Sequence, residues 1–239
     1  MASYTLSKAL DTCSAFCEGC GNAANPFNLE GSMKGRAAWD RRNAFVASYL
    51  WSPPVHFSDH WKNTLLGGWT ISGITTLQSG APITFFAPVD VGVNGTTAPE
   101  HAFLNGQRIG LNNPTVNEFF NVNAFLNPLC TFVPQPFNPQ VIEQTNCTPD
   151  GIKYSLLGTY GQSGRNILSG PAYSDTDFDV IRDFTFKERY KVEFRAEFFN
   201  LFNQVNFGQP SSTVGSSSFG QLLSADPGRI IQFALKFFW

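Results

Sequence analysis

Five cysteines are the first residues of this 239-residue chain whose type and spacing could do chemistry. Cys13, Cys17 and Cys20, in "CSAFCEGC", have the C-x3-C-x2-C spacing with which radical enzymes hold an iron–sulfur cluster. That use needs a reducing compartment and an α/β barrel behind the motif. This motif instead leads into Asn/Pro/Gly-rich chain and then into stretches of alternating polarity. The spacing therefore reads as disulfide bonding in an exposed loop. Cys130 and Cys147 share a second long loop and could pair with each other. Five is an odd count, so one thiol is left over or pairs between chains.

The other candidate sites are weaker. "DTDFD" (Asp175, Asp177, Asp179) opens like a calcium loop. Its sixth position is Val180 rather than Gly and its twelfth is Phe186 rather than Glu, which excludes an EF-hand. His56 and His60 have metal spacing for a helix, but Pro53 and Pro54 precede them and favour a turn. His101 stands alone. "GTYGQSG" lacks both G-x-G-x-x-G and the Lys of a phosphate loop, and "GQSGR" is no nucleophile elbow. Its small residues suit a turn at the rim of a sheet. No catalytic constellation, metal site or cofactor site emerges, and an enzyme is not expected.

Chemistry of any kind needs elements to position it, and those elements are strands. Charged residues make up 14% of the chain and aromatics 15%, with 24 Phe. Ordinary soluble domains carry roughly 25% charge. Yet no apolar run approaches the ~18 residues of a spanning helix. The net charge of −2 gives no footprint for nucleic acid.

Period two dominates. In "YKVEFRAEFFNLFN", Tyr190, Val192, Phe194, Ala196 and Phe198 point one way, and Lys191, Glu193, Arg195 and Glu197 the other. In the tail, Ile231, Phe233, Leu235, Phe237 and Trp239 share a face opposite Gln232, Ala234 and Lys236. Weaker alternation recurs in "RRNAFVASYLW", "WTISGITTLQ" and "FDVIRDFTF". Arg182 is a misfit on the aromatic face of the last, to be accommodated by a bulge or by cover from neighbouring chain. Six strands are expected, at about 2–10, 41–51, 67–79, 175–186, 190–202 and 229–239.

The spacers alternate too. Counted back from the C-terminus they run long, short, long, medium, long. Transmembrane β-barrels have short periplasmic turns and longer outer loops, with strands apolar towards lipid and polar towards the lumen. A secreted, disulfide-bearing β-sandwich that binds a glycan or a surface is the alternative, because its strands alternate as well. The formal charges opposite an aromatic face that runs to the terminus favour the barrel. Lys191, Glu193, Arg195 and Glu197 are then expected to line the lumen.

The residues also carry a family resemblance. The tail "RIIQFALKFFW" resembles the C-terminal assembly signal of bacterial outer-membrane proteins. "GTYGQSGRNILSGPAYSDTDFDVIRDF", "YKVEFRAEFFNLFNQVNFGQP", "DRRNAFVASYLW", "LLGGWTISGITTLQSGAPIT" and the opening "ASYTLSKALD" resemble the last part of TonB-dependent receptors of the Oar-like barrel type. The resemblance implies an outer-membrane barrel of a Gram-negative-type bacterium that moves a bulky substrate. It also implies Phe233, Leu235, Phe237 and Trp239 as the signal read by the barrel-assembly machinery. Such receptors have 22 strands, a plug and a TonB box. Six strands, with neither plug nor signal peptide, imply an all-β, incomplete barrel segment over 1–239. Its implied partners are outer-membrane lipid, the remaining strands and plug of the receptor, and through them TonB.

Overall fold

The structure is a computed structural model. It describes residues 1–14, 25–55, 58–59, 62–63, 66–88, 100–128, 131–135, 138–145, 158–186 and 190–239. Six strands build the main sheet: β1 (Ala2–Leu6), β2 (Asn43–Trp51), β3 (Trp69–Gln78), β4 (Tyr173–Phe186), β5 (Tyr190–Phe199) and β6 (Ile230–Phe238). Their spatial order is their chain order, and every neighbouring pair is antiparallel. The sheet is therefore an up-and-down meander. Among the described residues it does not close: β1 and β6 are its two edges.

Alternation fixes the register. One continuous face runs from Phe45, Ala47, Tyr49 and Trp51 through Trp69 and Ile71 to Phe178, Val180 and Phe184. It continues through Val192, Phe194 and Ala196 to Phe233, Leu235 and Phe237. A one-residue slip of any pair would put its aromatics among the charges. Rings also meet diagonally across strands, as twist requires. Phe194 stacks on Phe233 at 6.2 Å and Tyr190 on Phe237 at 6.0 Å. Each such pair contributes ~0.5–1.5 kcal/mol.

Arg182 is accommodated by cover rather than by a bulge. The β4–β5 and β3–β4 registers run without interruption through it, opposite Phe194 and Trp69. The side chain is 8% exposed. It lies 5.2 Å from the centre of the Phe184 ring and donates to the Asn63 carbonyl at 3.4 Å, so the β2–β3 connection folds over it.

Strand ends differ from expectation for local reasons. β1 stops at Leu6, and Leu10–Asp11 instead pairs with Gly35–Arg36 inside the first loop. β5 stops at Phe199 rather than 202, because Asn200 and Asn203 both take left-handed φ of 52°. Asn200 is held there by Asp177, whose carboxylate accepts its backbone N–H at 3.1 Å, and by two hydrogen bonds with Gln204. The 81–157 loop adds a hairpin, Thr131–Gln135 with Asn138–Thr145. Residues 152–157, "IKYSLL", whose sequence would allow a further strand, lie outside the described residues.

The meander sends the β1–β2, β3–β4 and β5–β6 connections to one end of the sheet, the loop end. The β2–β3 and β4–β5 connections lie at the other, the turn end. The densest apolar packing is among the loops. Ile83, Phe85, Ala102, Phe120, Ala124 and Phe125 of the second loop pack with Val214 of the third. Phe85, Phe120 and Phe125 are essentially fully buried, with ring centres 4.5–5.6 Å apart. Backbone bonds join the two loops, from Phe86 to Ser212 and from Val214 back to Phe86. A sandwich would need a second sheet on the aromatic face. Among the described residues none lies there, and Phe233, Leu235 and Trp239 are 69%, 75% and 85% exposed.

Candidate functional site

Two regions carry the polar chemistry: the second face of the sheet and the junction between loops. On the sheet, Asp175, Asp177, Asp179 and Asp183 of β4 share a face with Lys191, Glu193, Arg195 and Glu197 of β5 and with Gln232 and Lys236 of β6. The structure thus brings all four expected charged residues of β5 into one row. Arg195 forks between its neighbours two positions away, reaching Glu193 and Glu197 at 3.2 Å each. Gln232 donates to the other oxygen of Glu197. Lys191 reaches across to Asp183 at 3.0 Å.

Charge along this face is uneven. Asp175, Asp177 and Asp179 lie in the half of β4 nearer the loops. Lys191 and Lys236 lie near the turn end, close to the Phe238 ring at 5.4 and 4.9 Å. Among the described residues the three aspartates meet only neutral donors: Tyr173 at 3.4 Å, the Asn200 N–H at 3.1 Å and Ser72 at 3.1 Å. A concavity of about 660 Å3 opens here, lined in part by Ser72, Asp177, Asp179 and Glu197. No group of three metal-ligating side chains able to hold an ion occurs among the described residues.

The loop junction is the part that sequence reasoning missed. Arg165, 6% exposed, leaves the second loop and enters the first. It donates to the Asp11 carboxylate at 2.5 Å, to the Asp11 and Met33 carbonyls at 3.1 and 3.3 Å, and to the Ser14 hydroxyl. Asn166, in left-handed φ of 56°, donates to the Arg36 carbonyl at 2.6 Å. Asp40, 2% exposed, accepts from Arg36 and from the Ala9 N–H at 2.9 Å each. Burial pushes both carboxylates up. The bonds and charge of Arg165 at Asp11, with Ser14, outweigh it, as do the Ala9 N–H and Arg36 at Asp40. Both end below the usual carboxylate range. The signal in the sequence was a lone Arg beside "GQSG" in a loop otherwise poor in charge.

Cys13, next to Ser14, is disulfide-bonded. Cys17, Cys20, Cys130 and Cys147 lie outside the described residues, as do His56 and His60. His101 is 5% exposed and sits against the second loop's own backbone. Burial holds its imidazole below the ordinary histidine range, with the Arg165 charge acting the same way against a bond with the Ser163 backbone.

An antiparallel meander with an exposed aromatic face, a charged opposite face and all long loops at one end is the wall of a transmembrane β-barrel. The comparison with known families agrees. The chain matches the outer membrane beta barrel domain over residues 1–232, and it belongs to that family. Membership places it in the outer membrane. No curated protein and no solved structure matches it.

Proposed function

We propose that the chain forms the closing, C-terminal wall of a TonB-dependent transporter of the Oar-like type. In this reading the charged face of β4–β6 lines the lumen, and the aromatic face, including Phe233, Leu235 and Phe237, meets lipid. The loop end lies outside the cell. Trp239 lies at the periplasmic interface, where amphipathic rings are favoured, and Phe233, Leu235, Phe237 and Trp239 are the address read by the assembly machinery. The remaining strands and plug come from the rest of the receptor.

The observation that carries the reading is the open meander. Each edge exposes backbone groups that a bilayer leaves unsatisfied, so the sheet needs further strands. The sequence resemblance supplies the transporter type. The test is whether the periplasmic domain of TonB is retained by outer-membrane fractions holding the receptor that contains this chain. Retention is expected, and its loss on deleting the plug would complete the case. If residues 1–239 alone give a heat-modifiable, ion-conducting barrel, the reading is wrong.

A further inference from the structure

We propose that the cleft between the first and second long loops binds one neutral sugar ring. The cleft holds about 180 Å3 and is lined by Asn25, Asn28, Ser32, His101, Tyr160 and Gln162, with backbone between them. Drug-sized ligands occupy roughly 300–1,000 Å3, so the space suits a single ring.

Its lining is rich in hydrogen-bonding groups and carries no formal charge. Asn28 and Asn25 use their side-chain oxygens locally, accepting from the Gly31 and Phe27 N–H groups at 2.9 Å. Among the described residues their amide nitrogens and the Tyr160 hydroxyl bond to nothing. Gln162 gives its amide N–H to the Leu104 carbonyl at 2.9 Å, which leaves its oxygen as an acceptor. His101 is held neutral by burial. A cation entering would lose water without meeting a counter-charge, and the nearby Arg165 charge is already paired with Asp11 and so offers little to an anion. A hydroxyl rim would find donors and acceptors on several sides.

An aromatic wall completes the match. Phe27, 88% exposed, meets Tyr160 edge-on at 6.1 Å at the cleft. A sugar ring carries hydroxyls at its rim and C–H bonds on its faces, so one face can lie on an aromatic ring while the rim bonds to amides. Gly161 is required for this construction. A Cβ there would collide with the His101 carbonyl oxygen, and that close approach sets Tyr160 and Gln162 on either side of the contact. Arg165 and Asn166 both hold the first loop against the second beside the cleft.

The inference rests on the loop end facing outside. It is tested with outer-membrane fractions containing the full receptor, by equilibrium dialysis against radiolabelled D-glucose, N-acetyl-D-glucosamine and dextran, beside fractions lacking the receptor. Retention of either monosaccharide marks a free-sugar site. Retention of dextran alone marks a site for a chain end, and both results uphold a sugar site. In either case Tyr160→Ala is expected to weaken retention by up to about tenfold, one ring contact's worth, whereas Tyr160→Phe keeps most of it. Immunoblotting of the same fractions confirms that each variant is assembled. Receptor present with no sugar retained, or retention unchanged in Tyr160→Ala, overturns the site. Absence of the receptor from the membrane fraction would instead count against the barrel reading.

Discussion

Exchanging the character of two adjacent residues, Phe194 and Arg195, tests which face of the sheet meets lipid. Both lie mid-strand on β5 and differ only in direction. Phe194→Arg places a cation on the aromatic face. At the bilayer midplane that costs ~2–4 kcal/mol. It also removes ring contacts with Trp69 and Phe233, both at 6.2 Å, worth ~0.5–1.5 kcal/mol each. The new charge would sit opposite Arg182, a like-charge pair in register. The total is on the order of 3–7 kcal/mol. Arg195→Phe loses the fork to Glu193 and Glu197. Arg195 is 40% exposed on its side chain, so solvent screening limits each pair to ~0–1 kcal/mol. Phe194→Arg should therefore deplete the assembled protein in outer-membrane fractions strongly, and Arg195→Phe only slightly. The assay is heat-modifiable gel migration with urea titration of the folded band. Equal depletion, or a larger effect of Arg195→Phe, would refute the assignment of faces.

Other expectations concern the loops. Arg165→Ala strands the Asp11 carboxylate in a contact that is 5% and 20% exposed on its two sides, and breaking such a pair costs ~3–5 kcal/mol. With the loop end outside the cell, as proposed, protease added to intact cells should then cleave the first loop faster while the amount of assembled protein is unchanged. Phe85→Ala empties a fully buried site at a cost of ~3–5 kcal/mol, and should expose the second and third loops to protease together. Acid should loosen the same loops in two stages. His101, Asp11 and Asp40 all have folded values below their unfolded ones, so each stabilises above its unfolded value and loses that contribution as pH falls through the folded one. Protease sensitivity should rise below about 6.5 through His101 and again below about 3.9 through the aspartates. Asp11→Asn should blunt the second rise.

The strands were legible because period two is written residue by residue, and Tyr190–Phe199 and Ile230–Phe238 show it in both their apolar and their charged positions. Arg182 looked anomalous because its cover comes from Asn63, 119 positions away. The loop core was illegible for a related reason. Phe85, Phe120, Phe125 and Val214 have no common period, and they meet only after chain rich in Asn, Pro and Gly has turned many times. Arg165 and Asp11, 154 positions apart, could not be paired without the topology that brings the first and second loops to the same end.

With the loop end outside the cell, as proposed, that shared loop core bears on recognition of the cell surface by antibodies. Phe120 and Phe125 of the second loop pack on Phe219 of the third, at 5.1 and 5.2 Å, while Arg165 anchors the first. The exposed surface is therefore a mosaic of three sequence-distant segments. Sera raised against a synthetic peptide from any single loop should recognise denatured protein better than living cells. Epitopes on this platform would be discontinuous, and a change inside one loop could erase an epitope displayed by another.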